Sequence, residues 1–252
     1  MFTRAIVRKP DSNFDKGLTT GLLGKPKFDL LLKQHQAYIQ TLEKLGLRVT
    51  VLDAQPNYPD AYFVEDTAVV TPEVAIITIP GAPARQGEQH SIQLELAKHR
   101  PIAHIVDPGR VDGGDVLMVG KHFFIGVSER TNPAGARQLG SILASYGYTW
   151  CEVPVGEGLH LKSSINFVGA NTLVLTTPFA KLSVFENYTK IVLPEAEAYA
   201  ANTLWINDTL IIPRGFPQVE KALSQRGLAI IELDVSEMAK MDGGLTCLSL
   251  RF

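Results

Sequence analysis

Cysteine is nearly absent from this chain. Only Cys151 and Cys247 occur in 252 residues, too few for a disulfide scaffold or a cysteine-rich zinc or iron–sulfur site, and in keeping with a reducing compartment. An excess of charge is missing as well. Lys plus Arg number 24 against 26 Asp plus Glu, a formal net charge of -2, which argues against a polyanion-binding surface and hence against a nucleic-acid partner. Long hydrophobic runs are lacking too. VAIITIP and LIIP fall far short of the ~20 residues of a membrane helix, MFTRAIVRKPD has no apolar stretch of a secretory signal, and LSLRF is not a prenylation box. A cytoplasmic protein with no membrane partner is expected. Gly113-Gly114 and Gly243-Gly244 make neither a phosphate loop nor a dinucleotide fingerprint, and no zinc-protease helix, C-x-x-C pair or G-x-S-x-G elbow occurs.

What is present is a recurring pattern. Twenty-one Gly and 15 Pro are spread along the chain, so many short turns are expected rather than a linker. The length is compatible with one or two domains. Short apolar runs punctuated by Gly, Asn, Asp or Pro predict hairpins at 63–70 with 74–79, 115–119 with 123–127, 164–168 with 172–177, and 204–206 with 209–212. Apolar residues three and four apart predict helices over 89–99, 134–146 and 217–226, with a weaker one over 179–187. Asn132-Pro133 reads as a cap and first-turn proline, and Gly147 and Gly227 as stops. An apolar strand follows each helix, at 102–106, 148–153, 190–193 and 228–233. A fifth unit forms only if the ends join: strands 246–252 and 3–8, a long helix over 28–45 stopped by Gly46, and a strand over 47–52. Units begin near Phe63, Gly114, Ser163, Asn202 and Gly244, roughly 40–50 residues apart, the scale of propeller-like repeats. The expectation is one closed α/β domain over 1–252, a ring of five strand–strand–helix–strand units. The alternative is an ordinary α/β domain with hairpins.

In such a ring, a site would lie on the axis, where each unit begins. The polar residues there are Glu65 and Asp66 in FVEDTAVV, Asp112 and Asp115 in DGGDVLMVG, His160 in GLHLKSS, and Cys247 in DGGLTCLSL. A cysteine in a strand is by itself compatible with inert core, and Cys151 has only that reading. His35, His90 and His99 fall in helical patterns and read as surface, His104 in a strand, and His122 in a turn. His160 follows Gly156 and Gly158 at a unit start. A cysteine, a distant histidine and an orienting acid together form a nucleophile arrangement. Glu65 and Asp66 are adjacent in an apparent strand, so their side chains should point to opposite faces. They form either a solvated edge or a pocket for a cation such as a guanidinium, whose fork matches a carboxylate. Asp112, Asp115 and His160 have no diagnostic metal spacing, so no metal is expected.

FVEDTAVV, DGGDV, GLHLKSS and DGGLTCLSLRF resemble, in this order and across essentially the whole chain, the dimethylarginine dimethylaminohydrolase family of the guanidino-group-modifying (pentein) superfamily, and PGAPARQGE favours that family over its neighbours. The resemblance implies a five-bladed α/β propeller of ββαβ units closed by the terminal strands. It implies a cofactor-free hydrolase that converts Nω-methylated arginines to citrulline plus dimethylamine or methylamine, through a thiouronium on the cysteine. Residue by residue, it makes Cys247 the nucleophile, His160 the general acid and base, and Asp112 the acid that orients it, where some relatives carry Glu. Asp66 would grip the guanidinium with Glu65 beside it. Asp60 and the Leu18 backbone would meet the substrate amino group, Arg85 and Arg130 its carboxylate, Phe63 the pocket wall, and the Met241 backbone a further contact. Relatives include monomers and homodimers. Arginine deiminases share FVED and the cysteine segment in looser form, so a deiminase is the neighbouring alternative. A catalytically silent binding protein of the same fold is the other, against which the complete Cys247, His160 and Asp112 set speaks. The Gly-rich segment 16–24 is expected to be a mobile lid.

Overall fold

The computed structural model describes residues 1–156 and 160–252. Along the chain run β1 (Arg4–Arg8), α1 (Phe28–Lys44), β2 (Arg48–Leu52), β3 (Ala68–Val70), β4 (Ala75–Ile77), α2 (Gln89–Leu96), β5 (Ile102–His104), β6 (Val116–Val119), β7 (His122–Val127), α3 (Pro133–Ser145) and β8 (Thr149–Pro154). These are followed by β9 (Ile165–Phe167), β10 (Thr172–Leu175), α4 (Thr177–Ala180), β11 (Thr189–Val192), β12 (Leu204–Ile206), β13 (Thr209–Pro213), α5 (Pro217–Ser224), β14 (Ala229–Leu233), α6 (Ser236–Ala239) and β15 (Leu250–Arg251).

Among the described residues the strands form five three-stranded sheets of one plan. In each, an antiparallel hairpin is followed by a helix, and the third strand returns parallel beside the second, as in β6-β7-β8. The fifth sheet is assembled from both termini: β15 pairs antiparallel with β1 at Ala5↔Arg251 and Ile6↔Leu250, and β1 pairs parallel with β2. The turns that the sequence marks are made as expected where small or amide residues permit them. Asn207 and Asp208 adopt positive φ in the β12–β13 hairpin, a conformation that Asn and Asp tolerate. The Asn132 side chain accepts the Gly135 N–H and Pro133 opens α3.

The first strand of every unit but the fourth, where β12 covers the expected 204–206, is shorter than the apolar pattern suggests. A 3-10 turn stands before that strand in all five: Val64–Thr67, Gly113–Asp115, Leu161–Ser163, Glu195–Ala201 and Thr246–Leu248. FVED and the cysteine segment are therefore turns rather than strands, because a run of buried apolar residues fits either form and only their neighbours decide. These turns touch one another in sequence around the axis. Asn202 closes the circle, its Oδ1 accepting the Thr246 N–H at 3.0 Å and its Nδ2 donating to Thr246 Oγ1 at 3.2 Å.

The helices pack outside the sheets. On α1, Leu31, Tyr38 and Leu42 are fully buried, which stabilises the helix by ~1.5–3 kcal/mol for each large apolar side chain. Tyr38 also donates to Leu245 O at 3.0 Å and meets Ser249 Oγ at 2.6 Å, so the longest helix braces the segment that carries Cys247. His35 lies on that same stripe and is buried, not at the surface as its position in a helix suggests, and burial lowers its pKa to about 4. The stretch 179–187 forms α4 and a separate 3-10 turn, Ser183–Phe185, instead of one helix. No helix among the described residues is long and apolar enough to cross a membrane.

Candidate active site

Four of the five axial turns, or the residues that flank them, present ionisable or nucleophilic side chains to one region. A small cavity of about 30 Å³ is lined by Leu18, Asp60, Phe63, Asp66, Arg85, Arg130, His160, Met241, Asp242, Gly243 and Cys247. Of the residues marked out at the axis or by the resemblance, this gathers all but three. Asp112 stands immediately behind His160, and Glu65 and Asp115 are turned elsewhere.

His160 is buried between two carboxylates. Its Nε2 is 3.0 Å from Asp112 Oδ2 and 3.8 Å from Asp66 Oδ1. Burial disfavours the charged ring, but Asp66 and then Asp112 outweigh it and raise the His160 pKa to about 9. The ring sits so close to the backbone that a Cβ at Gly114 would lie 2.6 Å from His160 Nδ1; the second glycine of DGGD is there to admit the imidazole. Part of the GLHLKSS motif, Gly158 and Leu159, lies outside the described residues.

Asp66 is the most heavily held acid in the cavity. Its Oδ1 accepts the Gly114 N–H at 2.9 Å and its Oδ2 accepts from Arg85 Nη1 at 2.5 Å. Burial works against its charge, but the His160 and Arg85 cations win and lower its pKa to about 2. A carboxylate offers about four lone-pair sites, so capacity remains for a guanidinium fork. Arg85 is itself saturated along its Nε–Nη2 edge: Glu88 accepts from Nε at 3.1 Å and from Nη2 at 2.7 Å, and Phe63 O accepts from Nη2 at 2.9 Å. Glu88 is 1% exposed, and burial raises its pKa to about 7. The sequence reading missed it, although PARQGE places it one turn beyond Arg85. Arg130 is the less committed cation, with Nη1 4.0 Å from Asp112 Oδ2. Asp60 accepts the Leu18 N–H at 3.1 and 3.0 Å, and burial raises its pKa.

Cys247 is partly buried in the turn Thr246–Leu248, where its N–H donates to Gly244 O at 3.2 Å. Burial, and then the Glu65 and Asp66 charges, push its thiol up to about 12. Beside it, Gly243 lets the Phe63 ring approach to within 2.2 Å of where a Cβ would stand. Segment 16–24 reaches over this side. Thr20 N–H and Oγ1 donate to Asp242 at 2.5 and 2.9 Å, and Thr19 Oγ1 donates to Lys240 O at 2.9 Å. Leu22 and Leu23 stay exposed.

Two expectations change. Glu65 does not join Asp66 in the cavity. The pair do diverge, as adjacent residues on a strand would, but from a 3-10 turn, and Glu65 accepts from Lys162 Nζ at 2.6 Å, Thr246 Oγ1 at 2.7 Å and Arg251 Nη2 at 3.0 Å. It lines a separate cavity of about 270 Å³. Asp115 also leaves the site, spent on Ser128, Thr131 and the Leu161 N–H. Cys151 lies far along β8 with His122 Nε2 3.4 Å from its sulfur, and burial raises its pKa. The groups of Asp66, Asp112 and His160 lie within 4.8 Å of one another, but Arg85 on Asp66 and Arg130 beside Asp112 set cations against any metal there.

A ring of five ββαβ units with a cysteine, a histidine and acids on its axis is the architecture of the guanidino-group-modifying superfamily. A sequence model described as N,N dimethylarginine dimethylhydrolase, eukaryotic, matches residues 18–181. An N(G),N(G)-dimethylarginine dimethylaminohydrolase of Pseudomonas aeruginosa is 40% identical over the full length of both chains. The solved structure of the Pseudomonas aeruginosa protein, a cysteine-to-serine variant complexed with citrulline, superposes with a TM-score of 0.98 at 40% identity, again covering all of both chains. A second structure, a dimethylarginine dimethylaminohydrolase histidine-to-glycine variant as its adduct with S-methyl-L-thiocitrulline, also gives 0.98 at 40% identity and complete coverage of both chains. The chain belongs to the dimethylarginine dimethylaminohydrolase family.

Proposed function

We propose that this protein hydrolyses Nω-methylated arginines, asymmetric dimethylarginine and monomethylarginine, to citrulline and dimethylamine or methylamine. The observation that carries this reading is that one cavity gathers Cys247, His160 and Asp66 together with Asp60 and Arg130. A thiol, an acid–base group and a carboxylate for a guanidinium stand beside an acid and a base of the right signs for an amino acid's ammonium and carboxylate.

Asp66 holds the guanidinium flat, which converts a bimolecular attack into a positioned one. The bound cation favours the Cys247 thiolate, offsetting the burial that keeps the free thiol protonated. The thiol proton leaves to solvent as the cation binds, and the sulfur attacks the guanidinium carbon. The bond to the methylated nitrogen breaks, and His160 gives that nitrogen its proton as the amine departs. Water then attacks the thiouronium, His160 takes a proton back, and the carbon–sulfur bond breaks to release citrulline. Splitting one hard substitution in this way yields two easier steps. Asp112 orients His160, Leu18 and Asp60 receive the substrate amino group, Arg130 receives the carboxylate beside Arg85, whose three guanidinium nitrogens already serve Glu88, Phe63 and Asp66, and Phe63 and Met241 close the walls. Segment 16–24, whose Leu18 lines the cavity and whose Thr19 and Thr20 bond to Lys240 and Asp242, opens as a lid to admit substrate. The 252 residues work as one catalytic domain, as a monomer or homodimer, and the two unpaired thiols suit the cytoplasm.

Citrulline release from asymmetric dimethylarginine is the test. Wild type turns it over, and Cys247→Ser loses nearly all activity while its circular dichroism is unchanged. Full activity in Cys247→Ser overturns the mechanism. Ammonia from unmethylated arginine, with no turnover of dimethylarginine, replaces this reading with a deiminase.

A further inference from the structure

Glu65 binds three of the five axial turns at once. It belongs to the first, Val64–Thr67. Its Oε1 takes Lys162 Nζ at 2.6 Å, from the turn Leu161–Ser163, and its Oε2 takes Thr246 Oγ1 at 2.7 Å, from the turn that bears Cys247. Arg251 reinforces the same place. Its Nη2 donates to Glu65 Oε1 at 3.0 Å, and its Nη1 donates to Thr246 O at 3.0 Å and Ser249 O at 2.6 Å. The Thr246 N–H is held in turn by Asn202 Oδ1 at 3.0 Å. Every polar group of the residue before the cysteine is thus held, its N–H and hydroxyl by other units of the ring and its carbonyl by Arg251 of its own, and none of these partners lines the cavity that holds Cys247.

The cluster also sets a charge balance. A buried carboxylate under a thiol opposes ionisation of that thiol. Here one carboxylate, 3% exposed, is matched by two cations. The ionisable groups around Cys247 are Glu65, Asp66, Tyr62, Tyr199, Lys162 and, on the walls of the cavity, His160, Asp60, Arg85, Arg130 and Asp242. Lys162 is the cation among them that lies on the side away from the substrate.

We propose that Glu65, Lys162 and Arg251 form a positioning cluster for the nucleophile: Glu65 pins the turn of Cys247 through Thr246, and Lys162 cancels the charge that Glu65 would otherwise set against the thiolate. The proposal rests on the reading of Cys247 as nucleophile, so its test is made first without substrate. The rate of alkylation by iodoacetamide is measured at about pH 8, where only a small fraction of the thiol is ionised, and located at Cys247 by peptide mass. Lys162→Met is expected to slow it about tenfold, the effect of removing a nearby opposite charge, since one pKa unit is a tenfold change in thiolate. For the same reason kcat for dimethylarginine falls about tenfold while KM stays within about threefold. Lys162→Arg restores both. Thr246→Ala keeps all three ions and removes only the hydroxyl link; it is expected to lower kcat about threefold or more, the loss of one net hydrogen bond, and Thr246→Ser is expected to recover it. A wild-type alkylation rate and kcat in Lys162→Met overturns the charge role. Should Lys162→Met fail to fold, a wild-type kcat in Thr246→Ala, or a loss that Thr246→Ser does not recover, overturns the positioning role. Continued turnover by Cys247→Ser would instead sink the nucleophile reading, which the alkylation rate does not depend on.

Discussion

At the scale of single residues, the acids around His160 decide its charge. Asp66 and Asp112 hold its pKa at about 9, against an ordinary 6.5, so the ring carries the proton its acid role needs through neutral pH. Activity should therefore decline as pH rises through about 9. Asp112→Asn removes one of the groups that raise the pKa. Its pH–rate profile should lose activity at a lower pH than wild type, with kcat reduced far more than binding; an unmoved alkaline limb would reassign Asp112. Arg130 and Arg85 differ in kind although the sequence presents them as a pair. Arg130→Ala should raise KM by about 10–100-fold, the loss of a charged hydrogen bond of ~1.5–3 kcal/mol, with thermal stability little changed. Arg85→Ala strands Asp66 and Glu88 in the interior and should lower stability by ~3–5 kcal/mol. Thermal melts of the two variants, read beside their KM values, separate recognition from support.

Individual elements owe their placement to small residues at close approaches. DGGD and DGGL look alike in sequence and serve one physical end, letting neighbouring axial turns meet. A Cβ on Gly113 would stand 2.0 Å from Glu65 O, and one on Gly244 2.5 Å from the Asn202 side chain. Gly114 faces His160 in the same way. Gly114→Ala should push the imidazole off Asp112 and cut kcat by about 100-fold, since a displacement of ~1 Å can cost that much. Wild-type turnover in this variant would show that the ring has room the contacts deny. The element boundaries were the least legible part. Apolar runs at the axis read as strands because period and propensity cannot separate a buried strand from a buried turn. The helices fared better: Asn132-Pro133 and Gly147 frame α3 as their backbone chemistry requires.

At the scale of the molecule, ring closure joins the termini, and the site depends on it. Cys247 precedes β15, which is held by pairing with β1, by contact with β3 and by the bond from Arg251 to Glu65. Ile6 is 1% exposed in β1 and pairs with Leu250. Ile6→Ala should cost ~2–4 kcal/mol as a buried large-to-small change. Loss of activity and loss of ellipticity should coincide in a urea titration, since the turn of Cys247 cannot be ordered in an open ring. Activity lost well before ellipticity would instead show a closing blade that melts alone.

The order of units, the pairing of the two ends and the chemical types at the axis follow from the sequence by itself, because turn residues, apolar period and unit spacing are local properties. The likeness of FVEDTAVV and DGGLTCLSLRF to known motifs marked Cys247, His160, Asp112 and Asp66 in the same way. Which of two neighbouring acids faces the substrate was decided only in three dimensions. Glu65 and Asp66 have the same charge and adjoin in the chain, but Lys162, Thr246 and Arg251 wait on one side of their turn, and Arg85, Gly114 and His160 on the other. All of those partners but Arg85 come from other units of the ring. A buried carboxylate is placed by the groups that can neutralise it, and their whereabouts are a property of the closed fold, not of the segment that carries the acid.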